Sequence, residues 1–421
     1  MTDTEIMLPY GDSFLKARIP TKNITSILST KDIEGLEDER EAITNSLRTP
    51  IGRPALRDCV NKNDKVVVIV TDNTRPCPDD RLLPPILAEL EAKLARENIT
   101  IIVALGLHPP LDKQELVKKL GSDVVENYNV LNHDVNQTVN IGMTSRGTPV
   151  DINTKAVEAD FRISTGFIEP HFFAGFSGGR KSIAPGIFSV RSAYKNHSYK
   201  MVEHPRARAG ILEGNPIHED LVEQAKMAKL DFIVNVLLNK KREITHVVAG
   251  DPIKAHERGC EIERDVAGVK VDHKVDTTIT TNSGAPLDLD FYQTCKGIDT
   301  ASQITRDGGI IIIASSCCAG VGPEEFRTLH ASVGSPKEVL QKIKRLEPIG
   351  VQWENQILAR TQLKNDIYLV SGLEDSVVKD MMITPIRAIE EGLEKAFRVL
   401  GNDAEIAVIP EGPLVLPLLE N

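Results

Sequence analysis

No stretch of this sequence approaches the roughly 20 consecutive apolar residues that a membrane helix needs, so no membrane partner is expected. The opening stretch MTDTEIMLPYGDSF is acidic and has no apolar centre, which is not the pattern of a secretory signal. Basic stripes are missing as well. The net charge is −10, which argues against nucleic acid as a partner. The six cysteines include no CxxC pair, and adjacent Cys317 and Cys318 make a poor disulfide. These absences point to a reducing, cytoplasmic compartment. Internal repeats and low-complexity tracts are also absent.

What is present is ordinary for a folded protein: 41% hydrophobic and 26% charged residues. A chain of 421 residues exceeds what one core commonly holds, so two domains are expected. Apolar runs alternate with helical patterns. Strands are expected at Lys65–Val70, Ile99–Leu105, Phe161–Gly166, Asp231–Leu238, Asp276–Thr281, Gly309–Ala314, Asp366–Val370 and Glu405–Ile409. Continuous apolar strands separated by helices indicate parallel sheets covered on both faces. An amphipathic helix is expected near Arg81–Glu97. Ser335-Pro336-Lys337-Glu338 has the pattern of a capping box. Asn215-Pro216 and Thr384-Pro385 each open a helix, the latter ending at Gly401. The charged stretch Glu261–Lys274 is placed as the hinge. The expected fold is therefore two α/β domains with mostly parallel sheets flanking an active-site cleft. One covers 1–268 and the other 269–421, with the last strand able to pack back on the first domain.

The densest chemical cluster is Glu169–Ser182, EPHFFAGFSGGRKS. Gly175, Gly178 and Gly179 beside Arg180 and Lys181 suggest a cradle for a small anion, since glycines admit close backbone approach and the cations hold charge. The competing interpretation is a flexible turn with solvated cations. A P-loop fails, because Arg180 stands where that motif requires glycine. His108 and His171 follow strands, and His197 follows a likely helix end; such loops are where parallel sheets place ligands. Each could carry protons or bind a metal, although a histidine in such a place, taken alone, is more often an ordinary surface or core residue. Arg75, in TDNTRP, could clamp a carboxylate. Tyr292 and Lys296 are four apart and would share a helix face.

Taken together, TDNTRP at 71–76, GLHPP at 106–110, FIEPHFFAGFSGGRKSIAPGI at 167–187, NHS at 196–198, NSGAPLDLDFYQTCKG at 282–297 and QWENQILAR at 352–360 resemble the nickel-dependent lactate racemase family, the LarA-like proteins. The resemblance spans most of the chain, and the FSGGRK segment is its most specific part.

The resemblance implies a racemase or epimerase of a small 2-hydroxy acid. It further implies a nickel-pincer nucleotide, a pyridinium-3,5-bisthiocarboxylic acid mononucleotide carrying Ni(II). Lys181 would form a thioamide bond to one sulfur arm, and His197 would be the protein's nickel ligand. Gly178, Gly179, Arg180, Asp72, Thr74 and Arg75 would surround the nucleotide. His108 and His171 would be the acid/base pair. Arg75, Tyr292 and Lys296 would hold the substrate carboxylate, with Trp353 closing the pocket. Dedicated maturation proteins would be partners. Two features depart from the family pattern: Pro109-Pro110-Leu111 after His108, and the loop Ser315–Gly322. Both leave the choice of hydroxy acid open. The alternatives are a catalytically silent nucleotide-binding homologue, and a zinc hydrolase built on His108, His171 and His197. No HExxH spacing supports the second.

Overall fold

The computed structural model describes residues 2–420. Two six-stranded sheets organise the chain. The first runs, in spatial order, Ile244–Gly250, Phe232–Leu238, Phe161–Phe167, Val66–Thr71, Ile99–Ala104 and Asn129–Asn132. All pairings are parallel except that of the edge strand Ile244–Gly250. The second sheet is entirely parallel, in the order Thr384–Ile386, Asp366–Val370, Thr305–Ala314, Val275–Thr281, Ile406–Ile409 and Ile24–Ile27.

The apolar runs become central strands because both faces are covered. In Val66–Thr71, Val66, Val68 and Val70 pack with Leu82, Leu83, Ile86 and Leu90 of the helix Asp79–Glu91. Val67 and Ile69 point the other way, into a cluster with Ile183, Ile187, Phe188, Ile217 and Leu221. Side chains alternate across a strand, so one six-residue run serves two cores. The helix near Arg81–Glu97 is shorter than expected, ending at Glu91.

Several local expectations change. Thr384-Pro385 opens no helix: Thr384–Ile386 is an edge strand beside Asp366–Val370. Proline is tolerated at an edge, where its missing N–H breaks no central ladder. The helix begins at Ile389 and ends at Leu400, before Gly401 at φ 95°. Ser335 does accept the Glu338 amide, but Glu338 reaches back to the Gly334 N–H rather than to Ser335, so the box is not closed. A complete box forms at Asp112 and Glu115. Asn215 caps its helix as expected, accepting from Ile217 and His218.

The stretch Glu261–Lys274 is not a loose linker. It comprises the second half of the helix Lys254–Ala267 and then the strand Gly268–Val271. That strand pairs with Leu416–Leu419, and Leu416 packs among Ile168, Phe176 and Val248. The range 1–268 for the first domain also needs amending. The hairpin Asp3–Tyr10/Ser13–Pro20 packs on the second sheet through Ile6, Leu8, Ala17 and Ile19, and Ile24–Ile27 is a strand of that sheet. Among the described residues no helix is long and apolar enough to cross a membrane.

Candidate active site

A cleft of about 1200 Å³, counting its open mouth, runs between the carboxyl ends of the first sheet's strands and two helices of the second domain. The first domain contributes Asp72, Arg75, His108, His171, Gly178, Lys181 and His197; the second contributes Tyr292, Lys296 and Trp353. Ten of the thirteen residues expected at the site therefore line one space. Thr74, Gly179 and Arg180 do not.

Asp72 follows the strand Val66–Thr71 and is buried. Its Oδ2 lies 2.5 Å from His108 Nδ1, and its Oδ1 accepts from the Thr74 hydroxyl at 2.8 Å. Arg75 in turn donates to Thr74 Oγ1 at 2.9 Å. Burial alone would raise the Asp72 carboxyl, but His108, Arg75 and Thr74 hold it below its ordinary value. An ionised Asp72 fixes the proton of His108 on Nδ1 and leaves Nε2 with a free lone pair. Thr74 thus braces Asp72 and Arg75, and it does not itself line the cleft.

His171 sits in the short hairpin Pro170–His171/Gly175–Phe176. The Ala174 amide approaches its Nδ1 at 3.3 Å, a long contact. Burial pushes its pKa well below the ordinary value, and Lys181, Lys296 and Arg75 add to the shift.

Lys181 lies in the single turn Gly179–Ser182, with its Nζ 6.0 Å from the centre of the Phe173 ring. Burial drives its pKa well below 10.5, and Arg180, Arg75 and Lys296 push the same way. Three basic side chains, Lys181, Arg75 and Lys296, and one carboxyl, Glu169, thus lie near one another; burial raises the Glu169 pKa against the pull of those three. His197 closes the helix Val190–Asn196 and stands edge-on to Phe173 and Trp353, at 4.9 and 5.0 Å between ring centres. Its Nδ1 has no hydrogen-bond partner among the described residues. Burial, then repulsion from Lys181, brings its pKa down to about 3, so the imidazole is neutral.

On the opposite wall, Asp290 caps the helix Phe291–Ile304 by accepting the Gln293 amide at 2.7 Å. This sets Tyr292 and Lys296 on the cleft side. Trp353 Nε1 donates to the Tyr292 hydroxyl at 3.0 Å.

The glycines also have a packing role. A Cβ on Gly178 would meet Asn235 Oδ1 at 2.7 Å, and one on Gly179 would meet the His256 ring at 2.7 Å. Both residues have positive φ, 74° and 52°. The loop is pressed onto Asn235 and His256, and Asn235 Oδ1 accepts the Gly179 amide at 2.7 Å. Arg180 faces away from the cleft, contrary to its expected place beside the nucleotide. Its amino groups bond the carbonyls of Ala174, Ser177 and Gly178 and the His256 ring.

Three contributors were not expected: Glu354 in the cleft wall, Phe173 between Lys181 and His197, and Asn235 under the loop. Asn235 had a visible signal, as the one polar residue in FIVNVLL. Among the described residues no group of three or more His, Cys, Asp or Glu is placed to hold a metal ion, so a zinc hydrolase lacks its ligand set.

Comparison with known proteins agrees with this geometry. Residues 10–210 match the lactate racemase N-terminal domain, and residues 270–416 match the lactate racemase C-terminal domain. The lactate racemase of Thermoanaerobacterium thermosaccharolyticum is 40% identical over 420 residues, covering 98% of each chain. The chain belongs to the lactate racemase family. The Lactiplantibacillus plantarum lactate racemase is 38% identical, covering 97% of this chain and 98% of its own. The lactate racemase apoprotein structure from T. thermosaccharolyticum superposes with a TM-score of 0.95 at 39% identity, covering 99% of this chain and all of its own. A Thermotoga maritima protein shares the fold at 18% identity, with a TM-score of 0.69. Membership makes this lactate racemase relative a racemase, and so an isomerase.

Proposed function

We propose that this chain interconverts the enantiomers of lactate or a closely similar 2-hydroxy acid, using a nickel-pincer nucleotide joined to Lys181. One observation carries the reading. Lys181 and His197 face one cleft, and burial favours the neutral form of both. A neutral amine is the form that can make a thioamide bond. A neutral imidazole is the form that can bind a metal. The donor set fits too, because one imidazole with sulfur donors from the cofactor suits Ni(II) and requires no second protein ligand. When bound, the nucleotide supplies a reversible acceptor for the C2 hydrogen with its electron pair.

The chain's own residues do the rest. Arg75 and Lys296, from opposite walls, are the cations for the substrate carboxylate, and Tyr292 lines the same cleft. His108, held by Asp72, presents a bare Nε2 that can take the 2-hydroxyl proton of one enantiomer. His171 serves the other enantiomer from the opposite loop. Phe173 and Trp353 shield His197 from water.

The test is to produce the chain with and without the cofactor-maturation proteins. The matured chain is expected to carry nickel and a mass adduct on the Lys181 peptide, both absent otherwise. A fully active chain without adduct would overturn the reading.

A further inference from the structure

A second cavity, of about 670 Å³ with its mouth, lies behind the loop that carries Lys181. Arg180 lines this cavity and not the cleft. Arg180 is 2% exposed, and its guanidinium meets only neutral groups: three carbonyls and, at 2.7 Å, His256 Nε2, which also lies 2.8 Å from the Ser177 carbonyl. Its Nε has no partner among the described residues. A buried cation normally has a counter-charge, and the protein supplies none here.

Beside it stands His218, stacked on His256 at 6.3 Å, with its Nδ1 also unpartnered among the described residues. Exposed Arg53 and Lys226 line the cavity as well. Its two carboxylates do not neutralise Arg180. Asp251 accepts the amides of Ile253 and Lys254, and Glu257 is exposed. The remaining wall is apolar: Val222, Ala225, Leu230 and Ile253.

We propose that this second cavity binds a small monocarboxylate, with Arg180 and His218 taking the carboxyl group and the apolar wall taking its short body. A single buried cation matches a single negative charge, and the apolar wall disfavours a phosphate or sulfate, which is polar on every side. Arg180 also grips the carbonyls of Ala174, Ser177 and Gly178, so an occupant would bear on the loop that positions Lys181.

The test uses trifluoroacetate as the probe, followed by fluorine NMR, on the unmatured full chain. In an Arg75→Ala/Lys296→Ala double variant the cleft has lost two of its basic groups, so saturable binding that remains, and that filling the second cavity removes, reports that cavity. Adding Val222→Trp, which fills the cavity from a half-buried helix position, should abolish it. Adding Lys226→Glu, at an exposed position that carries no folding risk, should weaken it at least threefold. Absence of saturable binding in the double variant, or binding there that neither added substitution changes, would overturn the proposal. Because the cleft is disabled throughout, failure here says nothing against the cofactor reading, which is tested separately.

Discussion

Asp72 Oδ2 lies 2.5 Å from His108 Nδ1, and this contact sets which nitrogen of His108 faces the cleft. The same relation between a carboxylate and an imidazole orients the base in other enzymes that abstract hydroxyl protons. An Asp72→Asn variant keeps the shape but no longer fixes the proton on Nδ1. The matured variant should lose roughly a hundredfold or more in kcat, within the range for general base catalysis, with KM little changed. The Lys181 adduct should persist, as peptide mass analysis would record. Unchanged kcat would remove Asp72 from its role.

Lys181 should behave as an unusually reactive amine. Its depressed pKa means that the free base exists at lower pH than the ordinary 10.5 of a lysine would allow. In the unmatured chain, limited acylation followed by peptide mapping should label Lys181 half-maximally below pH 10.5. Half-maximal labelling at or above 10.5 would show that burial is not controlling the amine.

Glu354 gives a pH-dependent stability. Burial raises its pKa above the ordinary 4.5 of a glutamate, with Lys296 pulling the other way. Its proton is thus bound more tightly in the folded state than in the unfolded. The stability this contributes is complete below the unfolded value and is lost as pH rises through the folded one. Thermal melting should show the native chain weakening from pH 5 upward relative to Glu354→Gln. A melting difference constant across that range would contradict the assignment.

Trp353→Phe removes the hydrogen bond to the Tyr292 hydroxyl while keeping an aromatic ring near His197. A typical net hydrogen bond is worth about 0.5–1.5 kcal/mol. KM for the hydroxy acid should therefore rise roughly two- to tenfold. Nickel content should stay at the wild-type level. Loss of the metal with no change in KM would mean that Trp353 supports the cofactor rather than the substrate.

Much of the fold was legible because the central strands are local signals. KVVVIV and ITIIVAL are apolar throughout, and each lies within a residue or two of its observed strand. Ile24–Ile27 was not legible, since its partner Ile406–Ile409 lies some 380 residues away and its own pattern alternates weakly. Thr384-Pro385 misled for a related reason: its local signature is that of a helix start, and only pairing with Asp366–Val370 makes it a strand. In the site, which residues gather in the cleft was largely readable, because the family motifs carry them. Directions were not. Arg180 and Lys181 are neighbours in sequence, yet the tight turn sends one behind the loop and the other into the cleft. Glu354 went unnoticed because a glutamate on a helix is normally solvated; here the packing of two helices buries it.

The most direct test of the central claim is chiral chromatography of a single lactate enantiomer incubated with the matured chain. The account predicts conversion to an equal mixture of both enantiomers by the wild type, starting from either one, and none by a Lys181→Ala variant produced with the same maturation proteins. Lactate that stays a single enantiomer, although the Lys181 peptide carries its adduct, would contradict the account. So would equal racemisation by Lys181→Ala.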